Sequence, residues 1–112
     1  MTVFPTARHI DRMSQQGYNM VMTYRFRKAV TLSELPVPTP QELARFLAHC
    51  ETAGIHVIFD FMWLMYDYSR CAAGATQCVC AGANCTLAEA ESSFKEMVLA
   101  GARSRALLGW YT

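Results

Sequence analysis

The residues best placed to do chemistry are the cysteines. Cys71, Cys78, Cys80 and Cys85 crowd into one short stretch with the spacing C-x6-C-x-C-x4-C, and Cys50 stands alone. Four thiolates could hold a tetrahedral zinc ion, but the paired C-x2-C spacing that marks structural zinc sites is missing. Two disulfides pinning a long loop fit better if the parent protein is exported, and they would leave Cys50 as a small buried hydrophobe. Asn84-Cys85-Thr86 also satisfies the N-glycosylation triplet, which agrees with export. Such triplets occur by chance, and a bonded Cys in the middle position hinders modification. His9, His49 and His56 are scattered, with no partner at a meaningful spacing, and read as surface or half-buried groups. A thiol catalyst built from Cys50 with His49 or His56 lacks a third orienting group. Phosphate-binding glycine loops, the G-x-S-x-G elbow and H-E-x-x-H are all missing.

The elements that position these groups follow a repeated pattern: a helix signal, a Gly or basic stop, then a short apolar run. Thr6 caps a first helix with Ile10 and Met13 on its apolar face, and Gly17 ends it. The run Tyr18 to Tyr24 then reads as a strand. Thr39-Pro40-Gln41-Glu42 supplies a capping hydroxyl, a Pro at the first helical position and a carboxylate at N3. Leu43, Phe46, Leu47 and Cys50 form the buried stripe of that helix, Gly54 stops it, and Ile55 to Phe61 is apolar enough for a strand buried on both faces. Thr86-Leu87-Ala88-Glu89 is a second capping box. Leu87, Ala90, Phe94, Met97 or Val98 make the next stripe, which reaches Gly101, and Arg103 and Arg105 suit the negative helix end. Ala106 to Thr112 is the third strand. Helix-strand repeats of this kind predict an α/β fold with a parallel sheet. Two segments leave the carboxyl ends of strands, which is where parallel α/β folds bind ligands. One, from Arg25 to Pro38, is kept extended by Pro36 and Pro38. The other, from Tyr66 to Cys85, reads as a rim insertion or a disordered patch.

Composition narrows the classes further. The chain has 112 residues, 53% hydrophobic and 17% charged, which suits one packed domain and excludes intrinsic disorder. Ten Lys plus Arg against nine Asp plus Glu leave a formal charge of +1, so neither nucleic acid nor an anionic membrane is an expected partner. No apolar run reaches the ~18 residues of a membrane span, and the first residues carry no secretory signal. If the parent is extracellular, its address lies upstream of Met1 or is lost.

Three phrases, taken in order and spacing, carry a family resemblance: Gly17-Tyr18-Asn19-Met20-Val21, Gly54-Ile55-His56-Val57-Ile58-Phe59-Asp60-Phe61, and Arg105-Ala106-Leu107-Leu108-Gly109-Trp110-Tyr111-Thr112. Together they resemble the amino-terminal half of a glycoside hydrolase-type (β/α)8 barrel, with the Cys-rich insertion at about 66–85 outside the likeness. The resemblance implies a single partial barrel domain over residues 1–112 whose strands are the second, third and fourth of the parent. It further implies that the acid/base carboxylate follows the last phrase, in an acidic Asp-Glu-Pro stretch beyond Thr112. Glycoside hydrolysis uses two carboxyl groups roughly 5 to 9.5 Å apart, so no catalytic residue is assigned in this chain. Activity of the chain alone is not expected, and neither a cofactor nor a metal is implied.

Rim residues that could bind a carbohydrate are Tyr24 and Arg25 after the first strand, Asp60 and Trp63 around the second, and Tyr111 on the third. Aromatic faces stack on a pyranose, while Arg and Asp hydrogen-bond its hydroxyls. Trp110, alternating with Tyr111, reads first as core. Asp60 in an apolar strand needs either a function or a partner such as Arg25. A non-catalytic α/β module that binds carbohydrate or protein is the alternative, and exposed sheet edges then predict self-association. A free-standing flavodoxin-like domain is a third reading, and it would need further helices after Thr112.

Overall fold

The structure, a computed structural model, describes residues 6–23, 39–60, 68–80 and 83–111, with only the backbone of Thr23, Asp60 and Tyr111. In chain order the elements are α1 (Ala7–Gln15), β1 (Met20–Thr23), α2 (Pro40–Ala53), β2 (His56–Asp60), β3 (Val79–Cys80), β4 (Ala83–Asn84), α3 (Leu87–Ala102) and β5 (Leu107–Tyr111).

α1, α2 and α3 each start on a threonine cap, as the spacing predicts. The Thr6 hydroxyl accepts the His9 N–H at 3.2 Å, and the Thr39 hydroxyl accepts the Glu42 N–H at 3.1 Å. Thr86 completes a full capping box. Its hydroxyl accepts the Glu89 N–H at 3.2 Å, and its own N–H donates to the Glu89 carboxylate at 3.3 Å. These bonds satisfy backbone donors that the first helical turn leaves open. α1 and α2 leave through a left-handed residue, which Gly17 (φ 89°) and Gly54 (φ 74°) supply without a Cβ penalty, while α3 ends on Arg103 in a right-handed conformation.

β1, β2 and β5 form one parallel sheet in the order β1-β2-β5. The alternate strand residues Val21, Val57, Phe59, Leu107 and Trp110 join Ile10 of α1, the Leu43, Phe46, Leu47 and Cys50 stripe of α2, and Met97 of α3 in a single core. α1, α2 and α3 therefore cover one face of the sheet. On the other face Met20, Met22 and Leu108 remain 48%, 44% and 57% exposed. Leu108 is the extra residue of a bulge, since Val57 pairs with Leu107 but Ile58 pairs with Gly109.

The α/β class and the parallel repeats are present, and the three strands make an open sheet rather than a closed barrel. Ile58 is only half-buried, because the strand expected to be covered on both faces is covered on one. Leu87, expected in the α3 stripe, is 46% exposed. As the first residue after the cap it precedes the turn at which that helix meets the sheet. Gly101 is buried inside α3 rather than ending it. A Cβ there would lie 2.5 Å from the Trp110 ring and 2.9 Å from Leu107, so the missing side chain sets how closely α3 approaches β5.

The segment expected to be an insertion or a disordered patch is ordered where it is described. Residues 68–72 are helical, β3 and β4 pair antiparallel, and β3 packs on α3. The Tyr68 ring lies 5.0 Å from that of Phe94.

Candidate functional site

The parallel register brings the carboxyl ends of the strands together. Thr23 lies opposite Phe59, and Asp60 opposite Tyr111. Of the predicted carbohydrate-binding residues, Asp60 and Tyr111 thus become backbone neighbours on adjacent strands, at the end where βα folds place their ligands. Tyr24, Arg25 and Trp63 lie outside the described residues.

Trp110 is a core residue. Its ring meets Phe59 edge-on, with centroids 5.6 Å apart and planes at 84°, and it fills the space left by Gly101. This is the favoured geometry of an aromatic pair, and it turns the indole toward the helices. The alternation that made Trp110 a packing residue leaves Tyr111 as the next position of the strand.

The histidines do not converge. His9 and His56 are exposed on separate elements. The His49 Nε2 lies 2.8 Å from Asp11 Oδ1 and ties α2 to α1, a contact that the sequence reading missed because 38 positions separate the two residues. Cys50 is buried, and desolvation pushes its thiol up to about 11. A buried thiol that resists ionisation is a poor nucleophile.

The remaining cysteines pair as Cys71–Cys78 and Cys80–Cys85, with Cα–Cα distances of 5.0 and 5.8 Å. No thiolate is left among them for zinc, and among the described residues no three potential metal ligands come together. The bonded loops are closed further by the Cys85 N–H donating to the Cys78 carbonyl at 3.0 Å, and by the Gln77 amide donating to the Cys85 carbonyl at 3.3 Å. Among the described residues no helix is long and apolar enough to cross a membrane.

No family model, curated protein or solved structure matches the chain.

Proposed function

We infer that the chain is the amino-terminal part of a glycoside hydrolase-type (β/α)8 barrel. Its parent hydrolyses O-glycosidic bonds, and the chain contributes sugar-binding rim residues without the acid/base carboxylate. The observation that carries this reading is the arrangement of the sheet among the described residues: three parallel strands in sequential order with α1, α2 and α3 on one side. A barrel wall is sequential and carries its helices outside, which fits this arrangement, and the strands on one side of the switch point of a doubly wound sheet share it. Met20, Met22 and Leu108 on the bare face correspond to barrel-lining positions in this reading. The sugar-binding residues of this reading are Asp60 and Tyr111, whose backbones are neighbours at the carboxyl ends of adjacent strands, together with Tyr24, Arg25 and Trp63, which follow the first and second strands in sequence. Exposed sheet edges and the bare apolar face make self-association the expected behaviour of the chain by itself.

The transcript beyond codon 112 tests the assignment. An open frame that begins with acidic residues is the expected result, and a stop codon there contradicts a hydrolase parent. The purified chain should leave aryl glycosides and oligosaccharides intact, and efficient turnover would contradict the role given to the missing carboxylates. Oligosaccharide binding retained by a chain that ends in a natural stop would favour a non-catalytic module.

A further inference from the structure

We propose that Asn84 is an acceptor for an N-linked glycan, and that closure of the Cys80–Cys85 disulfide ends the period in which it can be modified. The proposal does not depend on the hydrolase reading.

The fold treats the two functional groups of the Asn84-Cys85-Thr86 triplet differently. Asn84 is exposed on β4, at the surface of the crosslinked segment, so a glycan on its side chain would extend into solvent. The rest of the triplet is engaged. Asn84 pairs with Val79 in the β3–β4 ladder. The Cys85 N–H is held by the Cys78 carbonyl, and the Cys85 carbonyl by Gln77. The Thr86 N–H donates to Glu89, its hydroxyl donates to the same carboxylate at 3.0 Å, and that hydroxyl also accepts the Glu89 N–H. Transfer of a glycan to asparagine requires an extended triplet with a free hydroxyl at its third position. The folded triplet is extended at Asn84 and Thr86, but its backbone is tied into the ladder and its third-position hydroxyl is occupied by Glu89, whereas the unfolded segment leaves both free. The finished protein therefore accommodates the sugar but cannot accept it.

The step is balanced with a polyprenyl diphosphate-linked oligosaccharide as donor. The Asn84 Nδ2 forms a bond to the anomeric carbon, the bond from that carbon to the diphosphate oxygen breaks, and the diphosphate leaves with the electron pair. One amide proton is lost to a base of the transferring enzyme. Disulfide formation takes seconds to hours and chain synthesis roughly 5–20 residues per second, so transfer and closure compete on overlapping timescales. Partial occupancy of the wild-type chain follows.

The test expresses the full 112-residue chain behind a cleavable signal peptide in eukaryotic secretory cells, with glycan read as a mobility shift removed by a peptide N-glycosidase. Wild type should be partly shifted. The C80S/C85S variant, which keeps an intact Asn-Ser-Thr triplet, should rise about twofold or more in occupancy, since the competing closure is gone. N84Q should lose the shift. Because transfer precedes folding, pulse-labelled C80S/C85S chains report even if that variant never folds, and dithiothreitol given during the pulse should raise wild-type occupancy in the same way. Absence of a shift in both wild type and C80S/C85S would overturn the acceptor assignment. Equal occupancy in the two, with no response to dithiothreitol, would overturn the coupling to the disulfide.

Discussion

The sheet with its three helices and the crosslinked segment at 68–85 reach order by different routes. In the first, apolar side chains from α1, α2, α3 and the strands meet in one core that excludes water from Leu43, Leu47, Ile55 and Val57. In the second, β3 and β4 have two residues each, Val79 and Asn84 are exposed, and two disulfides supply what burial does not. Two-residue strands gain too little from pairing to hold a hairpin, so restriction of the unfolded chain carries the segment. The two regions should therefore fail under different insults: cavities and alkali for the core, reductants for the segment.

The largest expected effect comes from the core. Leu47→Ala removes a side chain that is 1% exposed and should cost about 2–5 kcal/mol in denaturant unfolding, with the disulfides unchanged by peptide mapping. A loss below about 0.5 kcal/mol would mean that the core is not the source of order.

Alkali comes next. The Cys50 thiol is held near 11 in the fold against 9.0 for its ordinary value, because burial disfavours the thiolate. The unfolded chain therefore ionises first. Stability contributed by keeping this group neutral is complete below pH 9 and falls as pH rises toward 11, by roughly 2–3 kcal/mol in all. Cys50→Ala should flatten that part of the pH profile in thermal melts.

Opening one crosslink is smaller and local. C71A/C78A should cost about 2 kcal/mol and raise amide exchange at Cys85, which donates to Cys78, while Val57 and Phe59 keep their protection. Collapse of protection in β2 would merge the two regions into one. The smallest change is at the surface: Asp11→Asn breaks the contact to His49 between half-exposed partners and should alter stability by less than about 1 kcal/mol.

Much of the sheet and its helices could be read from the residues. Thr39-Pro40 and Thr86 to Glu89 declare helix starts through side chains that bond locally, and the 55–61 run declares a strand through β-branched and aromatic types. What escaped depends on meetings between distant parts. Gly101 looks like the end of an apolar stripe, and only the approach of Trp110 explains it. The β3–β4 pair carries no alternation, and Gly82 between Cys80 and Ala83 was its one signal. Disulfide partners cannot be chosen from spacing. At the rim, the register sets Asp60 beside Tyr111, which needs the strand order rather than either local phrase.

The proposed barrel wall rests on one face of this sheet being uncovered among the described residues. Peroxide oxidation of the monomeric protein, followed residue by residue with mass spectrometry, tests it directly, since sulfoxide formation tracks solvent access. Met20 and Met22 should oxidise together and far ahead of Met97, which is 1% exposed beneath α3. Protection of Met20 and Met22 to the level of Met97 would mean that the sheet is covered on both sides, and would contradict the barrel-wall account.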